Sequence, residues 1–501
     1  MKKASLISLS VCLLGLVDSF ASDTLPRVAI KTNGQLIYND KPKEASSFSE
    51  IFSNGKFYGR VRTNNFYWNW RNEDMKHNSH FIGGVGGSLV YKSAALSGFS
   101  FGAGLYYSYA YFRETKDPYN LIKAGKDVAS RYDFLNMDRK YLAVLGQAYL
   151  DYKISKTNIS VGRQLVDTFY TKSNDTKMIP NTFDGVVLAS KDIPSTSMQF
   201  GYLLKQKLRD HAVNHPVLMY GDSNYDSDAK VIEINGVKVD TSKFSGNDDA
   251  AMHRGLTYTA LKNAGEDTDA PLIVGDIKNN SIKPLKANMS FYVVPGLISQ
   301  VMGEAYYNFK VGSVSITPGV RYIQQIDDNA GKIGGASLSG KVNASNPGGY
   351  KDPNSLDSYM IAARIVTKIQ NYKINIAYTG VADKADLVTP WRGFPTAGYT
   401  RSMGAYNWKA NTKSYRLEVV RNANKTGIYK NMFIQASVLF NDYDEDKGLS
   451  DQMYYYIGFV QNLPSLPQLQ WRLRLGYGDY TEAPLDKYDF LDSRFEINYV
   501  F

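Results

Sequence analysis

The sequence predicts an all-β protein, a transmembrane antiparallel β-barrel of eighteen strands. Three observations predict it. The final segment, Leu491-Asp492-Ser493-Arg494-Phe495-Glu496-Ile497-Asn498-Tyr499-Val500-Phe501, places mostly apolar or aromatic residues at odd positions and Asp492, Arg494, Glu496 and Asn498 at even ones. That is a period of two with one greasy and one charged face. The composition joins 38 Tyr, 23 Phe and 41 Gly to 21% charged residues, which suits lipid outside a barrel and water inside it. No stretch beyond the N-terminus approaches the roughly 18 consecutive apolar residues of a spanning helix. A chain of 501 residues exceeds one ordinary core, yet no linker or composition shift divides it, so it reads as one closed unit.

The N-terminus reads as a secretory leader. Lys2 and Lys3 precede an apolar run, Ala4 to Val17, too short to span a bilayer as a helix. Ser19-Phe20-Ala21 sets small residues at the expected cleavage positions, giving a signal peptide over 1–21. The single cysteine, Cys12, falls within it, so the processed chain has no disulfide or thiol chemistry. Losing two lysines and one aspartate lowers the net charge from +10 to +9. That balance suits anionic lipid or solute, while secretion argues against nucleic acid. Residues 22–55 read as a periplasmic lead-in to a barrel over 56–501.

Period-two segments are legible at 56–70, 80–92, 98–112, 140–154, 157–165, 183–191, 195–207, 286–295 and 301–310. They continue at 313–326, 355–368, 371–380, 412–421, 430–441, 452–463, 468–480 and 488–501. Seventeen strands cannot return the chain to the side it started from. Links such as 93–97 and 155–156 are short enough for periplasmic turns, and 113–139, 327–354 and 381–411 long enough for extracellular loops. Alternating these ends exposes a missing return strand between 208 and 285, best met by Ala270 to Lys278. The polar, Asp- and Gly-rich stretch 208–269 then reads as a long extracellular loop folding over the mouth.

Charge sorts onto one face of these strands. Arg60 and Arg62 oppose Phe57 and Val61, and Arg321 alternates with Val320 and Tyr322. Arg364 alternates with Ala363 and Ile365, and Arg416 and Glu418 with Tyr415, Leu417 and Val419. Arg472 and Arg474 alternate with Trp471, Leu473 and Leu475. Charge on the lipid face costs a few kcal/mol near the midplane, so these residues should line a water-filled lumen. Arg163 breaks the pattern and is expected at a strand end or re-aimed by a bulge. Tyr67, Trp68 and Trp70, Tyr106, Tyr107, Tyr109 and Tyr111, and Tyr454 to Tyr456 read as interfacial girdles. No Gly-x-Ser-x-Gly elbow, phosphate loop or Cys/His cluster is evident, and no cofactor or metal is expected.

Val161-Gly162-Arg163-Gln164, followed by Ser173-Asn174-Asp175-Thr176-Lys177-Met178-Ile179-Pro180-Asn181-Thr182-Phe183-Asp184-Gly185-Val186, resembles the OprD family of outer-membrane porins. Asn54 to Arg62, Gly303 to Tyr306 and Pro318 to Tyr322 extend the resemblance loosely over most of the chain. It implies eighteen strands, a third loop folded inward as a constriction, here bearing Asn174, Asp175, Lys177 and Pro180, and passage of carboxylate-bearing nutrients. Lys177 stands where the family usually has Arg, keeping the charge but losing the bidentate fork.

The expected function is passive diffusion of small hydrophilic solutes, not catalysis. Arg60, Arg62, Lys177, Arg321, Arg364, Arg416, Arg472 and Arg474 are the candidates for guiding anionic amino acids, small peptides or organic acids. Expected partners are outer-membrane lipid, the solutes, and the barrel-assembly machinery reading Tyr499 and Phe501; monomer and homotrimer both stay open. The alternatives are a barrel-anchored adhesin, with 208–269 as its binding loop, and an outer-membrane hydrolase using a histidine such as His77 or His211.

Overall fold

The computed structural model describes residues 26–71, 79–113, 128–129, 139–173, 177–209, 211–218, 231–234, 237–240, 251–423, 430–481 and 489–501. Of the residues singled out above, the leader, Cys12, His77, Asn174 and Asp175 lie outside them.

Eighteen antiparallel strands close into one barrel. They are β1 (Lys56–Trp70), β2 (Ser79–Lys92), β3 (Phe99–Arg113), β4 (Tyr141–Ile154), β5 (Thr157–Gln164) and β6 (Thr182–Ser190). Next come β7 (Thr196–Lys207), β8 (Leu272–Asn279), β9 (Leu285–Val294), β10 (Ile298–Tyr307, continued by Phe309–Val311), β11 (Val314–Asp327) and β12 (Ser358–Ile369). The circuit ends with β13 (Tyr372–Val381), β14 (Lys413–Arg421), β15 (Met432–Asp442), β16 (Gln452–Leu463), β17 (Leu466–Tyr480) and β18 (Phe490–Val500). The inferred return strand exists as β8, paired with β7 and β9.

Closure joins β18 to β1 in register from Phe490↔Trp70 to Val500↔Arg60. Gly59 and Phe501 extend it by exchanging backbone hydrogen bonds of 2.9 and 3.0 Å. The Phe501 ring lies directly over Gly59, where a Cβ would fall 2.1 Å from it. Closure thus leaves the barrel sheet itself without an open edge among the described residues.

The two faces sort as the alternation requires. Val320, Tyr322, Ile365, Tyr415 and Leu417 are exposed outward, while Arg321, Arg416 and Glu418 between them are buried inward. The aromatic expectation is half corrected. Trp68, Tyr106 and Tyr454 are buried inside the barrel, whereas Tyr107, Tyr109, Tyr111 and Tyr455 face out. Consecutive aromatics on a strand must point to opposite faces, so a cluster gives only half its members to a girdle. Outward rings meet across strands at the long-loop end, as in Tyr107–Tyr141, Tyr322–Tyr359 and Tyr455–Tyr477.

Arg163 is the penultimate residue of β5 and holds both carboxylate oxygens of Asp184, at 2.8 and 3.0 Å. The ladder between β6 and β7 shifts register at Asp184/Gly185. The misfit charge is thus neutralised at a strand end.

Candidate functional site: the inward cations and the loops that meet them

The described parts of the third loop, 165–173 and 177–181, lie in the barrel interior. Phe169 N–H donates to Asp276 of β8 at 3.0 Å, and the Tyr170 ring meets Tyr292 of β9 edge-on at 4.9 Å. At its far end the Lys177 ammonium sits 4.0 Å above the Phe66 ring of β1, and Met178 and Ile179 are fully buried. Pro180 C=O accepts from the Lys207 ammonium at 3.0 Å. The described parts of the loop therefore touch the wall on both sides.

A second loop, 382–412, also lies inside the barrel, and the sequence reading placed it only at the extracellular end. Val388 N–H donates to Gln325 at 2.8 Å, and Val388 C=O accepts from Tyr292 at 2.6 Å. Farther along, Gly404 N–H donates to the Tyr454 hydroxyl at 2.8 Å. Trp391, Tyr399 and Trp408 are almost completely buried. The two loops meet backbone to backbone: Gly393 N–H donates to Tyr170 C=O at 2.9 Å, and Lys172 N–H to Trp391 C=O at 3.0 Å. A Cβ on Gly393 would fall 2.0 Å from the Phe169 carbonyl oxygen. The signal for this loop was composition, since Trp391, Phe394, Tyr399, Tyr406 and Trp408 make it too aromatic for a solvated loop.

All eight candidate cations point inward, but they form two groups. Arg321, Arg364 and Arg416 bind the 382–412 loop. Arg321 holds Glu304 through Nε and a terminal nitrogen at 3.0 and 2.6 Å, and its other terminal nitrogen donates to the carbonyls of Pro395 and Ala397 at 2.7 and 2.8 Å. Arg364 donates to Gly398 C=O. Arg416 donates to Tyr399 C=O at 3.4 Å and pairs with Glu418. The Tyr399 ring lies between Arg321 and Arg364, 4.5 and 4.7 Å away.

The other five gather on β1, β17 and the third loop. Arg62, Lys177, Arg472 and Arg474 all lie within electrostatic reach of one carboxylate, Glu496 of β18. Arg474 bonds it directly, and Arg472 stands at 4.0 Å. Arg60 donates to Asn498 at 3.1 and 2.8 Å, and neighbouring Arg494 is satisfied by Asp492. Arg472 Nε and one terminal nitrogen, and Arg474 Nε, have no hydrogen-bond acceptor among the described residues. Glu496 as the organising acid was the residue missed: parity placed it inward, but nothing in the chain said that four cations would share it.

Above this layer the mouth loops interlock. The 251–257 segment packs on 330–342, with His253 Nε2–H donating to Gly335 C=O at 2.8 Å and Gly255 N–H to His253 Nδ1 at 3.2 Å. An amide can only donate, so the imidazole is the neutral Nε2–H tautomer. Asp386 ties three segments by accepting from Leu338 N–H, Ala410 N–H and Tyr350 OH at 2.9, 2.8 and 2.8 Å. A cavity of about 550 Å³ lies between them, walled by Arg254, Tyr350, Trp408, Lys409 and Tyr443. Among the described residues no cluster of metal-ligating side chains occurs.

A closed eighteen-strand barrel with an apolar exterior, aromatic girdles and a charged lumen crossed by an inward loop defines the class of outer-membrane porins. Within that class, residues 137–253 match the family model described as outer membrane porin, OprD family. The barrel is similar to Pseudomonas aeruginosa OccK8 (OprE), at 14% identity and TM-score 0.65, over 90% of this chain and 99% of that one. It is similar to Acinetobacter baumannii OccAB4 at 15% identity and TM-score 0.63, and to P. aeruginosa OpdK, solved with vanillate, at 11% and 0.62. Each of these two covers 89% of this chain and 98% of its own. No curated protein matches the sequence.

Proposed function

We propose that this porin passes small hydrophilic solutes by passive diffusion and favours anionic, carboxylate-bearing ones such as amino acids, small peptides and organic acids. The observation that carries the reading is the group of Arg62, Lys177, Arg472 and Arg474 around Glu496. Arg472 and Arg474, with Glu496 between them, put positive charge beside the third loop, which favours an anionic group there. Both guanidiniums keep their charge at every pH the channel meets, so this layer stays cationic. Vanillate, with which OpdK was solved, is a solute of that chemistry. The proposal includes export through a leader cleaved after Ala21 and assembly through Tyr499 and Phe501, which lie on the outer face at the closing seam with rings 6.2 Å apart.

Planar-bilayer recording tests it. Under a KCl gradient the reversal potential should report anion preference, and adding benzoate or glutamate should reduce chloride current. Well-folded protein without conductance overturns the channel, and a cation preference overturns the anion guide while leaving the channel.

A further inference from the structure

The chain before β1 crosses the barrel rim from inside to outside. The ribbon Val28–Ile30 with Leu36–Tyr38 lies against the inner wall at the short-turn end. Val28 and Ile30 pack with Tyr58 and Val500, and Gln470 of β17 donates to the carbonyls of Ile30 and Lys31 at 3.3 Å. Tyr58, Gln470 and Val500 share the inward parity of Arg60, Arg472 and Asn498. The chain then passes over the β2–β3 turn, where Glu44 bridges to Ala95 and Ala94 N–H donates to Ile51 C=O at 3.0 Å.

Beyond the rim stands the helix Phe48–Ser53. It sits on the outer face: the Phe52 ring meets Phe101 at 5.7 Å, and Tyr91 OH donates to Phe52 C=O at 3.0 Å. Phe57, Tyr91 and Phe101 all have outward parity. Yet Phe48 is 73% and Phe52 52% exposed, beside Phe57 at 57%, Phe99 at 61% and Phe501 at 51%. These rings form one patch continuous with the lipid-facing surface of the barrel. Lys41 and Lys43 are exposed on the same approach.

We infer that the Phe48–Ser53 helix is a lipid anchor, with Phe48 and Phe52 entering the headgroup–acyl boundary of the phospholipid leaflet at the short-turn end. The occupant is lipid rather than a second chain because the patch continues a surface already bathed in lipid. Rings at residues i and i+4 share one helix face, the arrangement of an interfacial helix. Anchored outside, the helix would hold the ribbon inside the mouth. The inference rests on the outer-membrane reading, but its test needs no ion current, so a non-conducting barrel leaves it standing.

Nitroxides are placed singly at Phe48→Cys, Phe52→Cys and Ser49→Cys in a Cys12→Ser background, reconstituted in phosphatidylethanolamine–phosphatidylglycerol vesicles. Heat-modifiable gel mobility confirms the folded barrel. The ratio of oxygen to nickel-chelate accessibility should be roughly fivefold higher at 48 and 52 than at 49. Equal ratios at the three positions overturn the anchor, as does dipolar broadening between labels of two copies.

Discussion

Two arcs of the barrel wall carry inward arginines, and the difference between them lies in what the loops do. On β11, β12 and β14 the guanidiniums of Arg321, Arg364 and Arg416 are spent on carbonyls of the 382–412 loop and on Tyr399. On β1 and β17, Arg62, Arg472 and Arg474 share Glu496 with Lys177 of the third loop. The same residue type on the same inward face thus holds a loop on one arc and gathers round a carboxylate on the other, where the proposed reading assigns it to the solute. The lesson is that parity identifies which cations are inside, while what packs against them in the folded barrel decides what each one holds.

The largest effect should come from breaking the anchoring arc. Arg321→Met strips the ion-pair partner from nearly buried Glu304 and frees two loop carbonyls, a loss of about 3–5 kcal/mol, read as a lower midpoint for urea- or heat-induced loss of the compact gel form. The same variant should conduct more, because the 382–412 loop is released; an unchanged midpoint and conductance would remove the anchoring role. Next comes the joint between the loops. Gly393→Ala forces a methyl onto the Phe169 carbonyl, and overpacking of this kind costs roughly 1–3 kcal/mol; protease cutting within 382–412 should rise.

The guiding arc is tested by selectivity. Arg472→Gln with Arg474→Gln should lower the chloride-to-potassium permeability ratio about tenfold, equivalent to roughly 1.4 kcal/mol. Arg364→Gln, on the anchoring arc, should shift it by less than about twofold. Equal shifts in the two variants would erase the distinction between the arcs.

The smallest effect concerns pH. Burial holds the His253 imidazole below its ordinary value of 6.5, against the opposing pull of the Gly335 carbonyl, Asp386 and Asp327. A depressed histidine leaves the packing of 251–257 on 330–342 at full strength above pH about 6.5 and weakens it as the pH falls further, because the released state takes up the proton. The protection factor of the amides in 251–257, their exchange measured against the intrinsic rate at each pH, should therefore fall on acidification, and His253→Gln should flatten that dependence. Protection that rises in acid would reverse the assignment.

Much of this was legible in the chain. Every barrel strand, including Leu272–Asn279, followed from alternation and the parity of the links, because a strand between lipid and water must repeat every two residues. The inward placement of Arg60, Arg62, Arg321, Arg364, Arg416, Arg472 and Arg474 followed for the same reason. Aromatic clusters were half legible, since Trp68 and Tyr454 took the inner face.

What the sequence determined by itself is whatever depends on neighbours along one strand: the period, the two faces, the number of crossings and the inward placement of the charged side chains. Only the tertiary structure decided how 382–412 threads the barrel, that Tyr399 lies between two arginines, and that Glu496 gathers four cations from β1, β17 and the third loop. The physical reason is range. Alternation is imposed locally by the pleat, whereas the course of an inward loop depends on carbonyls, rings and charges that meet only once the barrel has closed.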